Sequence, residues 1–333
     1  MLRPACLLPA ERLAPLHGLL TPRSGTEVSL HCLGPATRRS DAYRDGTLTR
    51  WTGAACSSTT FPLRVQSHLC FVTHHRGIIG VALSYNAGVS TVLNIAAYRF
   101  VELADLATLQ QQLLARARAA ALKGTVLLAP EGINLVLAGT CDALQPWLAE
   151  LQQDPRLAAM GVKRSFSSDQ PFRRLRVKIR REIIRMDQPT VRPAAGRAPV
   201  VDAPTLARWL QRGRCDEGRE LVLLDTRNGF EVDQGAFEGA IDWRLQRFSD
   251  FPAQLQRRSA ALQDKTVVSY CTGGIRCEKA ALWMREQGLP HALQLDGGIL
   301  GYFEQVPGAP HYRGHCFVFD ERGALDARLQ STR

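Results

Sequence analysis

From residue 91 to 98 the chain runs as an apolar stretch of strand length. Leu103, Leu106, Leu109, Leu113 and Leu114 then recur at helix spacing up to about Ala121. Two further strands are predicted at 124–128 and 133–138, separated by the turn Ala129-Pro130-Glu131-Gly132. A second helix follows, capped by Asp142 and apolar along Leu144, Trp147, Leu148 and Leu151, and residues 162–166 supply a fourth strand. The order β-α-β-β-α-β predicts a ferredoxin-like, acylphosphatase-like plait, an α+β sandwich.

The pattern changes after QPTVRPAAGRAP, residues 188–199, whose three prolines and low apolar content read as a semi-extended linker. Helices and strands then alternate, as in an α/β domain with a parallel sheet covered on both faces. Leu206, Trp209 and Leu210 mark a helix, and LVLLDTR, 221–227, is a buried strand ending in charge. Residues 249–262 form a second helix, 266–270 a central strand, and 293–296 another strand before Gly297-Gly298. The expected organisation is an extension over 1–88, a ferredoxin-like domain over 89–187, the linker, an α/β domain over 200–305 and a tail over 306–333.

Charge changes the picture at FRRLRVKIRREII, 172–184. Leu175, Val177, Ile179 and Ile183 alternate with Arg174, Arg176, Lys178 and Arg180, so a strand here has one apolar and one cationic face. Such a stripe neutralises several phosphates at once, which suits RNA. The same charges also suit an edge strand that must avoid pairing with another sheet. Arg173, Arg181 and Arg185 thicken the stripe. Glu131 and Asn134, polar residues in an apolar hairpin, either satisfy the turn or face a substrate.

The chemistry concentrates in YCTGGIRCEKA, 270–280. The central strand ends at Cys271, Gly273 and Gly274 allow the turn to curl its N–H groups inward, and a helix starts near Cys277 with its positive end at the same spot. A thiol in such a nest ionises below the free value of about 8.5. Arg276 closes the loop with a permanent charge, so Arg276 and the backbone of Thr272, Gly273, Gly274 and Ile275 are the expected anion-binding set around Cys271. Cys277 is either a second, resolving thiol or a buried neighbour of the helix cap. Asp225 and Arg227, at the end of their strand, read as a buried pair holding the sheet edge behind the loop.

Cys271-Thr-Gly-Gly-Ile-Arg276 resembles the six-residue active-site loop of rhodanese domains, and CTGGIRCEKA resembles the rhodanese-containing tRNA uridine(34) hydroxylase family. LKGTVLLAPEGIN, in the first domain, and the tail from Tyr312 to Glu321 resemble the same family. The resemblance implies a rhodanese-like second domain, tRNA as partner, and oxygen-dependent conversion of the wobble uridine to 5-hydroxyuridine with molecular oxygen as co-substrate. It places Cys271 at the centre of that chemistry, with a persulfide or other oxidised sulfur as the working species. The C-x4-R spacing matches the family's sulfur-sized loop, one residue shorter than that of rhodanese-like phosphatases.

Composition bounds these readings. Across 333 residues, 42 Lys and Arg against 31 Asp and Glu give a net charge of +11, which fits a nucleic-acid partner. No apolar run reaches membrane-spanning length, so no membrane association is expected. Nine scattered cysteines in a chain this large point to free thiols in the cytoplasm. The residues show no iron triad, no Gly-rich dinucleotide loop, no flavin fingerprint and no paired metal-ligand spacing, including among His31, Cys32, Cys56, Cys70, His74 and His75; no electron donor is indicated. Residues 1–88 carry nine arginines, no lysine and four acids, and read as structureless polar chain or a transit-type leader; translation is expected to start near Val89. Two other functions also use these features. A sulfurtransferase needs Cys271 without the basic strand, and a non-catalytic RNA-binding redox sensor needs the strand without turnover at Cys271.

Overall fold

A computed structural model describes residues 91–332, which fall in one compact unit. In the stretch before them it describes short strand backbones at Leu30–Cys32, Ala42–Arg44, Thr47–Thr49, Phe71–His74 and Gly77–Leu83, part of a separate unit. The expectations for the remainder of 1–88 and for a start near Val89 lie outside the described residues.

The first domain contains β1 (Val92–Phe100), α1 (Leu106–Ala119), β2 (Lys123–Ala129), β3 (Gly132–Gly139), α2 (Cys141–Leu151), β4 (Val162–Ser167) and β5 (Leu175–Ile179). The strand order is β5-β2-β3-β1-β4, the ferredoxin-like arrangement with one strand added at an edge. All neighbours are antiparallel except β5, which runs parallel to β2. Alternation sets the two faces. Leu93, Ile95, Val126, Leu135, Leu137 and Val177 turn toward α1 and α2 and pack with Leu109, Leu113, Leu144, Trp147 and Leu148.

Two expectations need correction here. The cap of α2 is Thr140, in an extended conformation, and Asp142 sits inside the first turn. The basic strand ends at Ile179 and does not run on to Ile183. Ile183 instead turns back, is buried with Phe100 and Ala129, and donates its N–H to Glu131 Oε1 at 2.7 Å.

The second domain is built from β6 (Val200–Val201), α3 (Ala203–Arg212), β7 (Leu221–Asp225), α4 (Gly229–Val232), β8 (Gly235–Phe237), β9 (Ile241–Asp242), α5 (Phe251–Arg258), β10 (Thr266–Tyr270), α6 (Ile275–Glu286), β11 (Ala292–Leu295) and α7 (Gly298–Gln305). Its sheet is parallel throughout, in the order β6-β11-β10-β7-β9. The predicted helix over 249–262 is α5 flanked by two 3-10 turns. Helices cover both faces: α5 and α6 close over Val222, Leu224 and Val267, while α3 and α7 close over Leu223, Val268 and Tyr270. Every residue of β10 is buried, which explains its mainly apolar character, and the buried Ser269 hydroxyl is satisfied by Leu293 O at 3.1 Å.

The segment 188–199 packs rather than dangles. Val191 and Ala198 are buried, and the Gln294 backbone N–H donates to Pro199 O at 3.0 Å. The tail adds β12 (Tyr312–Gly314), antiparallel to β8, then β13 (Cys316–Phe317) paired with β14 (Ala324–Leu325). It crosses back to the first domain, where the Glu321 N–H donates to Pro171 O at 3.1 Å.

Candidate active site

Cys271 follows the last residue of β10, at the carboxyl edge of the parallel sheet, where open α/β folds bind ligands. The loop that follows closes over its sulfur. Gly274 takes φ 104°, a left-handed conformation that a side chain resists, and its N–H donates to Cys271 Sγ at 3.2 Å. On the other side of the same residue, Cys277 Sγ donates to Gly274 O at 3.0 Å. Helix α7 clamps the loop from behind: the Ile299 N–H donates to Cys271 O and the Leu300 N–H to Thr272 O. That approach requires glycine at 298, where a Cβ would lie 2.4 Å from Cys271 O.

Burial by itself would push the Cys271 thiol up. The Cys277 thiol, the Arg276 charge and the backbone N–H groups of Cys277 and Arg276 outweigh it and bring the pKa down to about 5. Cys277 moves the opposite way, raised well above an ordinary thiol by burial and by the charge of its neighbour. The site therefore holds one thiolate and one neutral thiol, both free of disulfide and both buried. Helix α6 begins at Ile275, two residues before the expected start, so the Arg276 and Cys277 N–H groups belong to its first turn.

Arg276, whose charge acts on Cys271, is paired within the protein. Its guanidinium makes two bonds to Glu231, Nη1 to Oε2 at 2.6 Å and Nη2 to Oε1 at 2.7 Å, with both side chains buried. Glu231 also accepts from the Asn228 N–H at 3.0 Å, so it is fixed at both ends. Asp225 and Arg227 form a fully buried bidentate pair, and Arg227 Nη2 reaches Gly235 O at 2.7 Å. Arg227 Nη1 also reaches Glu231 O at 3.4 Å, so the pair braces the turn that carries Glu231. Among the loop residues, Gly273 keeps a negative φ with open space beside it, Thr272 Oγ1 donates to Phe317 O at 3.4 Å, and Ile275 packs on the Phe100, Ala129 and Ile183 patch.

The first domain reaches this loop and the helix after it through Tyr98 and through the groups that hold Lys279. Tyr98 donates to Glu278 Oε2 at 2.9 Å, and its hydroxyl lies 3.0 Å from where a Cβ on Gly274 would sit. Lys279, 2% exposed, is held by Glu131, Glu182 and Ile184 O. Glu131 and Asn134 accordingly serve the domain junction, with Asn134 Nδ2 donating to Ile183 O at 3.2 Å. Cys316, buried and raised to about 12 by that burial, sits in the tail's core.

Arg174, Arg176 and Arg180 are exposed and Lys178 is half-buried, on the sheet face away from α1 and α2. Among the described residues no carboxylate pairs with any of the four. One row of side chains runs from Lys178 through Leu127 and Asn134 to Tyr98, and the next from Arg176 through Thr125, Val136 and Ala96 to Lys163. Three strand steps of about 4.8 Å place the basic edge about 14 Å from the Tyr98 backbone, whose side chain reaches on to the loop. The cationic stripe and Tyr98, which touches the sulfur loop, thus lie three strands apart on one sheet face. Among the described residues, no three His, Cys, Asp or Glu side chains converge as metal ligands, and no helix is long and apolar enough to cross a membrane.

A family model described as UPF0176 acylphosphatase like domain matches residues 92–183, and one described as Rhodanese-like domain matches 204–305. A tRNA uridine(34) hydroxylase of Variovorax paradoxus is 61% identical over 240 residues, covering 72% of this chain and 91% of the relative. The chain belongs to the tRNA uridine(34) hydroxylase family. The tRNA uridine(34) hydroxylase of Bordetella pertussis is 60% identical over 240 residues and covered to 98% of its length, and that of Delftia acidovorans 58% over 243 residues and 92%. The hydroxylase family match therefore spans nearly the whole of these relatives, and the two model matches fall on the plait and on the parallel-sheet domain.

Proposed function

We propose that this chain hydroxylates uridine at position 34 of tRNA to 5-hydroxyuridine, with Cys271 as the reactive sulfur and molecular oxygen as co-substrate. The observation that carries the reading is membership of the hydroxylase family across more than nine-tenths of the relatives' length. The site supports it with a thiolate at neutral pH, held by Gly274 and by the first turn of α6. Insertion of one oxygen atom from dioxygen consumes two electrons, and the side chains identify no donor for them. Arg174, Arg176, Lys178 and Arg180 serve as the phosphate contacts, because no carboxylate among the described residues pairs with them. Asp225 and Arg227 act by bracing Glu231, which in turn sets Arg276. A cytoplasmic location follows from the reduced thiols and the tRNA substrate.

The test is mass spectrometry of tRNA nucleosides from cells lacking the gene, complemented by the wild type or by Cys271→Ala, and repeated with purified protein under oxygen. Restoration of 5-hydroxyuridine by the wild type alone is expected. Product from Cys271→Ala at the wild-type level would remove Cys271 from the mechanism.

A further inference from the structure

The two most exposed large apolar side chains among the described residues sit together beside the sulfur loop. Phe230, in α4, is 48% exposed and Phe319, in the tail, 59%. With Phe317 they form an edge-to-face trio, centroids 5.2 Å apart for Phe230 and Phe317, 6.4 Å for Phe230 and Phe319, and 5.1 Å for Phe317 and Phe319. Single exposed apolar residues are ordinary, but adjoining aromatic rings left in water beside a reactive loop forgo burial energy without a folding reason.

The trio is tied to the loop from three directions. Phe230 immediately precedes Glu231, which holds Arg276; the Arg276 guanidinium carbon lies 6.0 Å over the Phe319 ring; and Phe317 O accepts from Thr272 Oγ1. The far end of the same tail segment is tied to the basic strand. Glu321, two residues after Phe319, binds Pro171 O through its N–H and takes Arg173 Nε at 2.5 Å. One residue further begins the unpaired series Arg174, Arg176 and Lys178. Between these ends a cavity of about 100 Å³ is lined by Thr272, Phe319, Phe172, Val136 and Ala96. Aromatic faces and cations without a carboxylate partner among the described residues thus flank a cavity that Thr272, the residue after Cys271, helps to line.

That combination matches one ligand chemistry. Unpaired nucleotides offer bases to stack and phosphates to neutralise, whereas bases inside a duplex are already stacked and out of reach. A purely protein partner would account for the phenylalanines but leave the cationic series unused. We propose that Phe230 and Phe319 form a stacking platform for an unpaired base of the tRNA loop next to the target uridine, with Arg174, Arg176 and Lys178 holding phosphates of the same strand. This rests on the tRNA reading above and adds the surface that presents the substrate.

The test uses the full-length chain with a hairpin RNA bearing the anticodon loop of a substrate tRNA, 2-aminopurine replacing the base beside the target, and a fully duplexed control. Stacking quenches the probe, so the wild type is expected to quench it in the loop and not in the duplex. Phe230→Ala and Phe319→Ala are each expected to weaken hairpin binding about 5- to 100-fold, the range for loss of one base-stacking ring. KM for tRNA should rise in step, with kcat and the thermal midpoint retained. Phe319→Trp should restore binding and Phe319→Leu should not, which separates stacking from simple apolar contact. Unchanged binding and KM in both alanine variants overturns the proposal, as does rescue by leucine equal to that by tryptophan. Altered self-association with RNA binding intact also overturns it, since the rings would then serve a protein contact. Absence of 5-hydroxyuridine from the wild type strikes the proposed reaction alone, because quenching and its loss in the variants are read without turnover.

Discussion

Replacing Cys277 by alanine probes the origin of the acidity at Cys271. A sulfur with pKa about 5, against about 8.5 for a free thiol, prefers its charged form by about 5 kcal/mol. Burial opposes that preference, and the Cys277 thiol is the first of the influences that overcome it, ahead of the Arg276 charge and the two backbone N–H groups. For this the Cys277 S–H, which otherwise donates to Gly274 O, turns to the ionised Cys271, and a hydrogen bond to a charged acceptor contributes about 1.5–3 kcal/mol. Cys277→Ala should therefore lift the Cys271 inflection by about one to two pH units, to roughly 6 to 7. Cys277→Ser keeps a donor and should move it less.

The assay is thiolate ultraviolet absorbance of the full chain against pH, with Cys271→Ala as the blank, alongside the pH profile of tRNA hydroxylation. Stability gives a second readout with a fixed sign. A thiol whose pKa is depressed by folding stabilises the native state fully above its unfolded value of about 8.5, and that contribution is lost as pH falls through about 5. The stability advantage of wild type over Cys271→Ala should accordingly grow between those limits, and Cys277→Ala should narrow the window from its acid end. An inflection that stays near 5 in Cys277→Ala would refute the assignment and leave the backbone nest and Arg276 as sufficient causes.

Three further outcomes are expected. Glu231→Gln leaves the buried Arg276 guanidinium without its counter-charge, at a cost of about 3–5 kcal/mol in urea unfolding, and reduces hydroxylation. The triple variant Arg174→Ala, Arg176→Ala, Lys178→Ala should flatten the dependence of log K for tRNA on log salt by about 2, at about 0.7 per single-strand phosphate contact, with the thermal midpoint unchanged. Lys279→Met strips the shared cation from Glu131 and Glu182 and should cost about 3–5 kcal/mol; a loss below about 1 kcal/mol would show that water already screens this junction.

What the sequence displays and what it hides divide by range of contact. β10 is legible as Thr266–Tyr270 because a strand buried on both faces reads as a short, β-branched and mainly apolar run, and the turn after it carries the glycine that the positive φ at 274 favours. The plait is legible because its strands alternate and its helices repeat along a single face. By contrast, Glu231 grips Arg276 across 45 residues and Tyr98 reaches Glu278 across 180, and neither bond leaves a local trace. Arg276 lends its charge to the sulfur from its place in the loop, but the carboxylate that pairs with it is invisible in the neighbouring residues for that reason. The aromatic trio had a weak signal: in Cys316-Phe-Val-Phe-Asp320 the period of two turns Val318 inward, which forces Phe317 and Phe319 to the opposite side.

Helix α6 explains why the two domains have to be read together. Three consecutive residues in its first turns serve three different partners: Cys277 the sulfur, Glu278 the Tyr98 hydroxyl, and Lys279 the Glu131 and Glu182 carboxylates. Successive helical residues point about 100° apart, so one turn can grip the reactive centre on one side and the plait on the other. The turn that sets the acidity of Cys271 is thereby bolted to the sheet whose far edge carries Arg174, Arg176 and Lys178. Loosening the Lys279 junction should then disturb more than stability. On the tRNA reading, a strand held by its phosphates at that edge lies three strand spacings, about 14 Å, from Tyr98, whose side chain reaches on to the loop that carries the sulfur. Such a fixed span selects a nucleotide by its place along the strand, which is how a site with few base-reading groups can address one uridine.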